Sequence, residues 1–283
     1  MVYYLLLLLQ PVVSSCQSIA QKQYTLREKS PNVLLFSAIT SLIALCFFLI
    51  TSRFDLLFDA RLVPYALGFA VCYASAWAGT VFALRFGPMA LSTLIISCSL
   101  VFPTVYGLIL GESATPAVIL GICLILAAII LVNLKFGQKQ KFSLKWFLCV
   151  MVAFLGNGCC SIMQNMQKRT LGDSFTHEFM IIALSASFIL LLIAACLTTK
   201  SVRRDFRACL PYASANGVAN ALLNFLMLTL IGNIPNTVLY PSVSALNMIL
   251  TFLISFFAYK ERFTLPQYIG YALGAVSVVL LNL

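Results

Sequence analysis

Charge is scarce in this chain of 283 residues: Asp, Glu, Lys and Arg together supply 9%, against 61% hydrophobic residues. A soluble domain of that size is excluded, and a mean hydropathy of +1.00 indicates a polytopic membrane protein. There is one histidine, His177, with Glu178 beside it and no Cys or Ser partner in a motif, so a surface or capping role is expected rather than general-base work. The chain has no Gly-rich phosphate loop, no His-Glu-x-x-His and no paired intramembrane aspartates, so it does not read as an enzyme or a nucleotide-driven machine. The ten cysteines are scattered, and the only close pair, Cys159 and Cys160, is adjacent in sequence. Neither a disulfide framework nor a metal site is expected, and no cofactor.

Acidic residues are equally sparing. All eight of them (Glu28, Asp55, Asp59, Glu112, Asp173, Glu178, Asp205 and Glu261) fall in links or at span ends. This argues against cation exchange driven by a carboxylate in mid-membrane. The net charge of +10 comes from Lys and Arg confined to links and helix ends, which a lipid bilayer accounts for without nucleic acid.

What is abundant is long apolar runs. Ten can be marked, near 2–21, 33–52, 62–84, 88–110, 116–134, 145–167, 179–199, 208–231, 236–258 and 264–283, each long enough to cross a bilayer at about 1.5 Å per residue. The first run lacks a basic n-region and an Ala-x-Ala-like site, and Gln10 and Gln17 interrupt it, so it reads as a retained helix rather than a leader.

Residues 112–134 recur as 261–283: Glu, three on Thr, nine on Gly, twenty-one on Asn-Leu. Five runs end with each copy. The expected fold is therefore an all-α membrane protein of ten transmembrane helices arranged as two five-helix repeats, 1–137 and 138–283. An odd number of spans inverts the second half, a plan of secondary transporters whose sites lie between the halves.

Helix ends follow local chemistry. Thr115 and Thr264 are expected N-caps, with Glu112 and Glu261 just ahead of the same helices. Pro103 and Pro241 fall inside helices 4 and 9 and are expected to kink them. Gly121, Gly270 and Gly274 mark close helix contacts.

Three helices carry polar stripes at α-helical spacing. Helix 1 has Gln10, Ser14, Gln17 and Gln21; helix 6 has Asn157, Ser161, Gln164 and Lys168; helix 8 has Asn216, Asn220 and Asn224. An amide facing lipid leaves its donors and acceptors unpaired, so the stripes are expected to turn inward, either tying helices together or lining a hydrated cavity. Tyr73 and Trp77 on helix 3 and Tyr240 and Asn247 on helix 9 are expected to complete the lining. Such a cavity suits a neutral or zwitterionic small-molecule substrate.

The stretch from Pro103 through Gly111-Glu112-Ser113-Ala114-Thr115 to Gly121 resembles the EamA-type signature of the drug/metabolite transporter superfamily. Lys260-Glu261-Arg262-Phe263-Thr264 with Gly270 and Gly274 is similar to its second occurrence. The resemblance implies a plasma (inner) membrane, multi-pass transporter that exports or exchanges amino acids or other metabolites, with a cavity from helices 1, 3, 4, 6, 8 and 9, and it is compatible with a homodimer. It also implies termini in the cytoplasm. The charge distribution favours the opposite, because the links after odd-numbered helices carry fourteen Lys and Arg and the other side only Arg53, Arg61, Lys168 and Arg169. A flippase for a lipid-linked or amphipathic substrate is the alternative function. It would need a lateral opening and a basic site, for which only Arg85 and Lys168 stand near span ends.

Overall fold

The computed structural model describes residues 2–27, 32–53, 55–86, 92, 95, 96, 98–112, 115–133, 143–198, 202–257 and 263–281. Among them the chain forms α1 (Val2–Arg27), α2 (Val33–Thr51), α3 (Leu62–Phe86), α4 (Val101–Ile109), α5 (Pro116–Asn133), α6 (Leu144–Leu171), α7 (Thr176–Thr198), α8 (Val202–Leu230), α9 (Asn236–Phe257) and α10 (Leu265–Leu281). Among these residues no strand forms beyond an isolated bridge between Ile231 and Ile234. Six helices contain segments long and apolar enough to cross a membrane: Val33–Thr51, Leu62–Thr80, Leu144–Leu171, Thr176–Thr198, Cys209–Leu230 and Asn236–Ile254. The protein is thus an all-helical integral membrane protein in architecture.

Several ends are set as the sequence dictates. Thr115 Oγ1 accepts from Val118 N–H at 3.3 Å and its carbonyl from Ile119 N–H, capping α5. At α10 the Gln267 side chain reaches back to accept from Thr264 N–H at 2.9 Å, half of a capping box. Pro103 acts differently from a simple kink. Lacking an N–H for the carbonyl four residues back, it follows a tight 3-10 turn at Cys98–Leu100, and Thr104 Oγ1 donates to Leu100 O at 2.8 Å. Glu261, Asn282 and the side chains of Gln21 and Asn133 lie outside the described residues.

Glu112 corrects one expectation. Its carboxylate does not serve α5, the helix that follows it, but the start of α9: it accepts from Thr237 N–H at 3.0 Å and from Asn236 Nδ2 at 2.9 Å, with Arg169 Nη2 at 3.6 Å. Gly111, at φ +81, supplies the left-handed turn that swings the side chain across to the neighbouring helix.

Packing partners are specific. α3 lies against α6 and α7, α2 against α7 and α8, α1 against α8 and α9, α4 against α6 and α9, and α5 against α10. The α3–α6 seam is closed by glycine: a Cβ on Gly156 would come within 2.7 Å of Cys72 O, and one on Gly79 within 2.8 Å of Cys149 O. Those contacts run in opposite chain directions, so the two helices are antiparallel. Backbones this close are how helices associate where water exclusion offers no drive. Gly156→Val is expected to cost about 1–3 kcal/mol through overpacking, read as a lower thermal midpoint of the purified protein; an unchanged midpoint would show the seam to be loose.

Links are pinned at the same end of the bundle as Glu112. Glu178, buried in the first turn of α7, accepts from Leu57 N–H at 3.1 Å, and Arg61 forks onto Asp59 at 2.7 Å. The Arg61 guanidinium holds the Asp59 carboxyl below the usual carboxylate range.

Candidate functional site

The three polar stripes share one geometric property. On α6 the exposed apolar residues Leu144, Leu148, Val152 and Leu155 form one face, and at about 100° per residue Asn157, Ser161, Gln164 and Lys168 fall roughly opposite it. On α1 the outer face is Leu5, Leu8, Leu9, Val12 and Ile19, and Gln10, Ser14 and Gln17 lie opposite. On α8 Val218 and Phe225 look out while Asn216, Asn220 and Asn224 look away from them. The stripes point into the protein.

They meet through α6 and α8. Gln164 Nε2 donates to Asn224 Oδ1 at 3.0 Å, and Asn224 Nδ2 donates to both oxygens of Asn220, the carbonyl at 2.9 Å and Oδ1 at 3.2 Å. Asn220, 8% exposed, stands beside Tyr73 of α3. The Tyr73 hydroxyl is buried, with Ser41, Trp77 and Asn220 around it. The Tyr73 ring stacks on Phe69 and meets Trp77 edge-on.

A second set joins α6 to α9. Asn165 Nδ2 donates to Ser161 O at 2.8 Å and to the Tyr240 hydroxyl at 2.7 Å, which leaves Asn165 Oδ1 buried and unpaired. Asn247 Oδ1, also on α9, is buried without a partner. Buried amide oxygens with no donor are rare in folded proteins; here they also include Gln167 Oε1 near the end of α6, Asn216 Oδ1 on α8 and Asn236 Oδ1 at the start of α9.

Not every expected residue joins. Asn216 sits in the α2–α8 seam, fully buried, donating to Thr40 Oγ1 at 3.1 Å next to Gly217, whose Cβ would strike Ile43. It ties helices. Gln10 is buried and Ser14 and Gln17 are half-buried on the inner face of α1. Asn157 is exposed even though it faces inward, which places open space within the helix layer near the middle of α6.

Two features were not anticipated. Asn165 stands one residue off the α6 stripe and is more deeply buried than any residue in it; its neighbour Gln164 drew attention to the wrong register. The other is a cleft of about 230 Å3 at the helix ends, bounded by Tyr3, Lys168, Asp173, His177, Phe225 and Thr229. Lys168 is one helical turn beyond Gln164, its side chain only 10% exposed and its ammonium paired with the 77% exposed Asp173. His177, expected at the surface, is half-buried between the Phe48 and Phe225 rings, with Nδ1 3.5 Å from Thr51 Oγ1. Among the described residues no group of His, Cys, Asp and Glu could hold a metal ion.

No protein-family model matches this chain, and no curated protein matches it in sequence. Its fold does match solved structures. One, described only as the crystal structure of a protein, superposes with a TM-score of 0.79 at 16% identity, covering 100% of this chain and 99% of its own. At that identity the likeness establishes a shared fold along the whole length.

Proposed function

We propose that the protein is a secondary transporter of a small polar metabolite, working by alternating exposure of a cavity between two inverted five-helix halves, residues 1–137 and 138–283. The halves are supported by pairing. Exchanging α1–α5 with α6–α10 turns the α3–α6 contact into α8–α1, α2–α8 into α7–α3 and α4–α6 into α9–α1, while α2–α7, α4–α9 and α5–α10 map onto themselves, and all of these contacts occur. At the α5–α10 seam the relation holds to the residue. Gly121 abuts Ser277 and Leu281, and Gly270 abuts Ala128 and Val132, the same contacts displaced by 149 positions. Those two helices run antiparallel, as inversion requires.

The observation that carries the functional reading is the joined amide network of Gln164, Asn224 and Asn220, facing away from the outer apolar surface and accompanied by buried acceptors with no donor. A solute rich in N–H and O–H groups would satisfy those acceptors as it sheds water. Membership of the drug/metabolite transporter superfamily and a plasma-membrane location are part of the proposal, resting on the repeated Glu-to-Gly signature. The test is counterflow: proteoliposomes preloaded with unlabelled alanine, glutamine or phenylalanine are expected to accumulate the labelled solute faster than empty liposomes. If none of a broad panel of amino acids, nucleosides and sugars is moved, the transport reading fails.

A flippase for an amphipathic substrate is the second reading, favoured by the Lys168 cleft at the helix ends. It expects the protein to accelerate exchange of a fluorescent phospholipid between leaflets, where the transporter reading expects none.

A further inference from the structure

We infer that the Lys168 cleft is a binding site for a monocarboxylate with an apolar body, in which the ligand's carboxylate takes the place of Asp173 on the Lys168 ammonium. This names a solute class for the transport reading and rests on that reading for the ligand's onward path, though not for its binding.

The cleft is built for exchange rather than for a permanent ion pair. Lys168 is nine-tenths buried, held by α6 with its charge at the cleft wall, whereas Asp173 is 77% exposed on the 3-10 turn Asp173–Phe175 beyond Gly172. Displacing Asp173 returns to water a carboxylate that is already largely hydrated, at small cost. Leaving Lys168 unpaired would be expensive, so an incoming anion is required in exchange.

One cation sets the ligand's charge. The next residue, Arg169, is turned about 100° round α6 toward Glu112, and His177 is packed between two rings. A monoanion therefore closes the charge balance, while a phosphate dianion would leave a charge uncompensated in a half-buried space. The rest of the wall selects the body of the ligand: Tyr3, Phe225 and the His177 ring offer flat apolar surface, and Thr229 and Asn233 offer polar contacts at the rim. About 230 Å3 equals roughly seven or eight waters' share of liquid volume, which suits a single ring or a branched chain with its carboxylate. The amide layer of Gln164 and Asn224 begins one turn inward on α6, so a carboxylate held at Lys168 stands at the entrance to it.

The experiment compares benzoate, its neutral isostere benzamide and inorganic phosphate as stabilisers of the purified full-length protein in thermal melts, with affinities taken from the concentration dependence. Benzoate is expected to raise the midpoint and benzamide and phosphate to leave it unchanged. Lys168→Met is expected to weaken benzoate roughly tenfold or more, and Asp173→Asn to strengthen it severalfold by removing the competitor. A pair that only braces α6 against the following turn would make Asp173→Asn melt lower with no gain for benzoate, and that result overturns the inference. So does equal stabilisation by benzamide, or a response to phosphate alone. Should Lys168→Met fail to fold, the wild-type contrast and Asp173→Asn still decide. The two readings separate cleanly, because melts need no gradient: benzoate binding without counterflow of any solute sinks transport only, and counterflow without a benzoate preference sinks this site only.

Discussion

Glu112→Ala is expected to be the most destabilising single substitution outside the apolar core, lowering stability by about 2–4 kcal/mol. Three groups lose their partner at once. Thr237 N–H is one of the free donors at the start of α9, and losing a side-chain cap costs about 0.5–2 kcal/mol. Asn236, 3% exposed, would keep its buried Nδ2 with no acceptor, at about 1–3 kcal/mol. Arg169 adds little, since it is 45% exposed and 3.6 Å away, where solvent screens it. Glu112→Gln retains an acceptor for the Thr237 N–H and is expected to recover about half of the loss. The measurement is the thermal midpoint of both variants in the same detergent. If alanine melts with the parent, Glu112 is not a structural cap and its placement at the α9 terminus needs another explanation, such as ion coupling.

The same residue shows what a sequence can and cannot disclose. That Glu112 would meet a helix N-terminus followed from its spacing to Thr115, but which helix did not, because the carboxylate crosses to α9, more than a hundred residues away. Local rules served better at Thr115, which caps within one turn of itself as expected, whereas at the expected Thr264 cap the side chain that reaches a backbone N–H is that of Gln267. The inward orientation of the amide stripes was legible for a similar reason. A helix has one period, and a stripe of glutamines opposite a stripe of leucines has only one way to face in a bilayer. What remained hidden was pairing between helices. Asn216 and Asn220 are chemically identical and one turn apart, yet one meets Thr40 in a tight seam and the other joins Gln164 through Asn224. The cleft was hidden for a further reason. Its residues come from the ends of α1, α6, α7 and α8, and nothing in periodicity brings Tyr3 beside Lys168.

Asn220→Leu is expected to reduce solute movement roughly tenfold or more with little change in melting temperature, because Asn224 Nδ2 keeps the Asn220 carbonyl as acceptor, and this separation distinguishes a binding role from a tie between helices. Leucine has the same branched four-atom side chain, though a bulkier one, and needs no hydrogen bond, so the desolvation cost it removes at the buried Asn220 position offsets the added volume. Asn224→Leu is the contrasting case, since it takes the acceptor from the buried Gln164 Nε2 and is expected to melt lower. If the network only fastened α6 to α8, both variants would reduce transport only in step with the folded fraction. If it receives solute, each missing hydrogen bond weakens the bound state by about 0.5–1.5 kcal/mol, and two such losses reduce uptake roughly tenfold or more at low solute concentration. Asn216→Leu supplies the internal control. Sitting in the α2–α8 seam against Thr40 and Gly217, it is expected to melt lower and to keep the transport rate per folded molecule. Uptake by proteoliposomes, normalised to folded protein, reads all three. A pattern in which Asn216→Leu and Asn220→Leu behave alike would mean that the amide faces hold the bundle together and do nothing else.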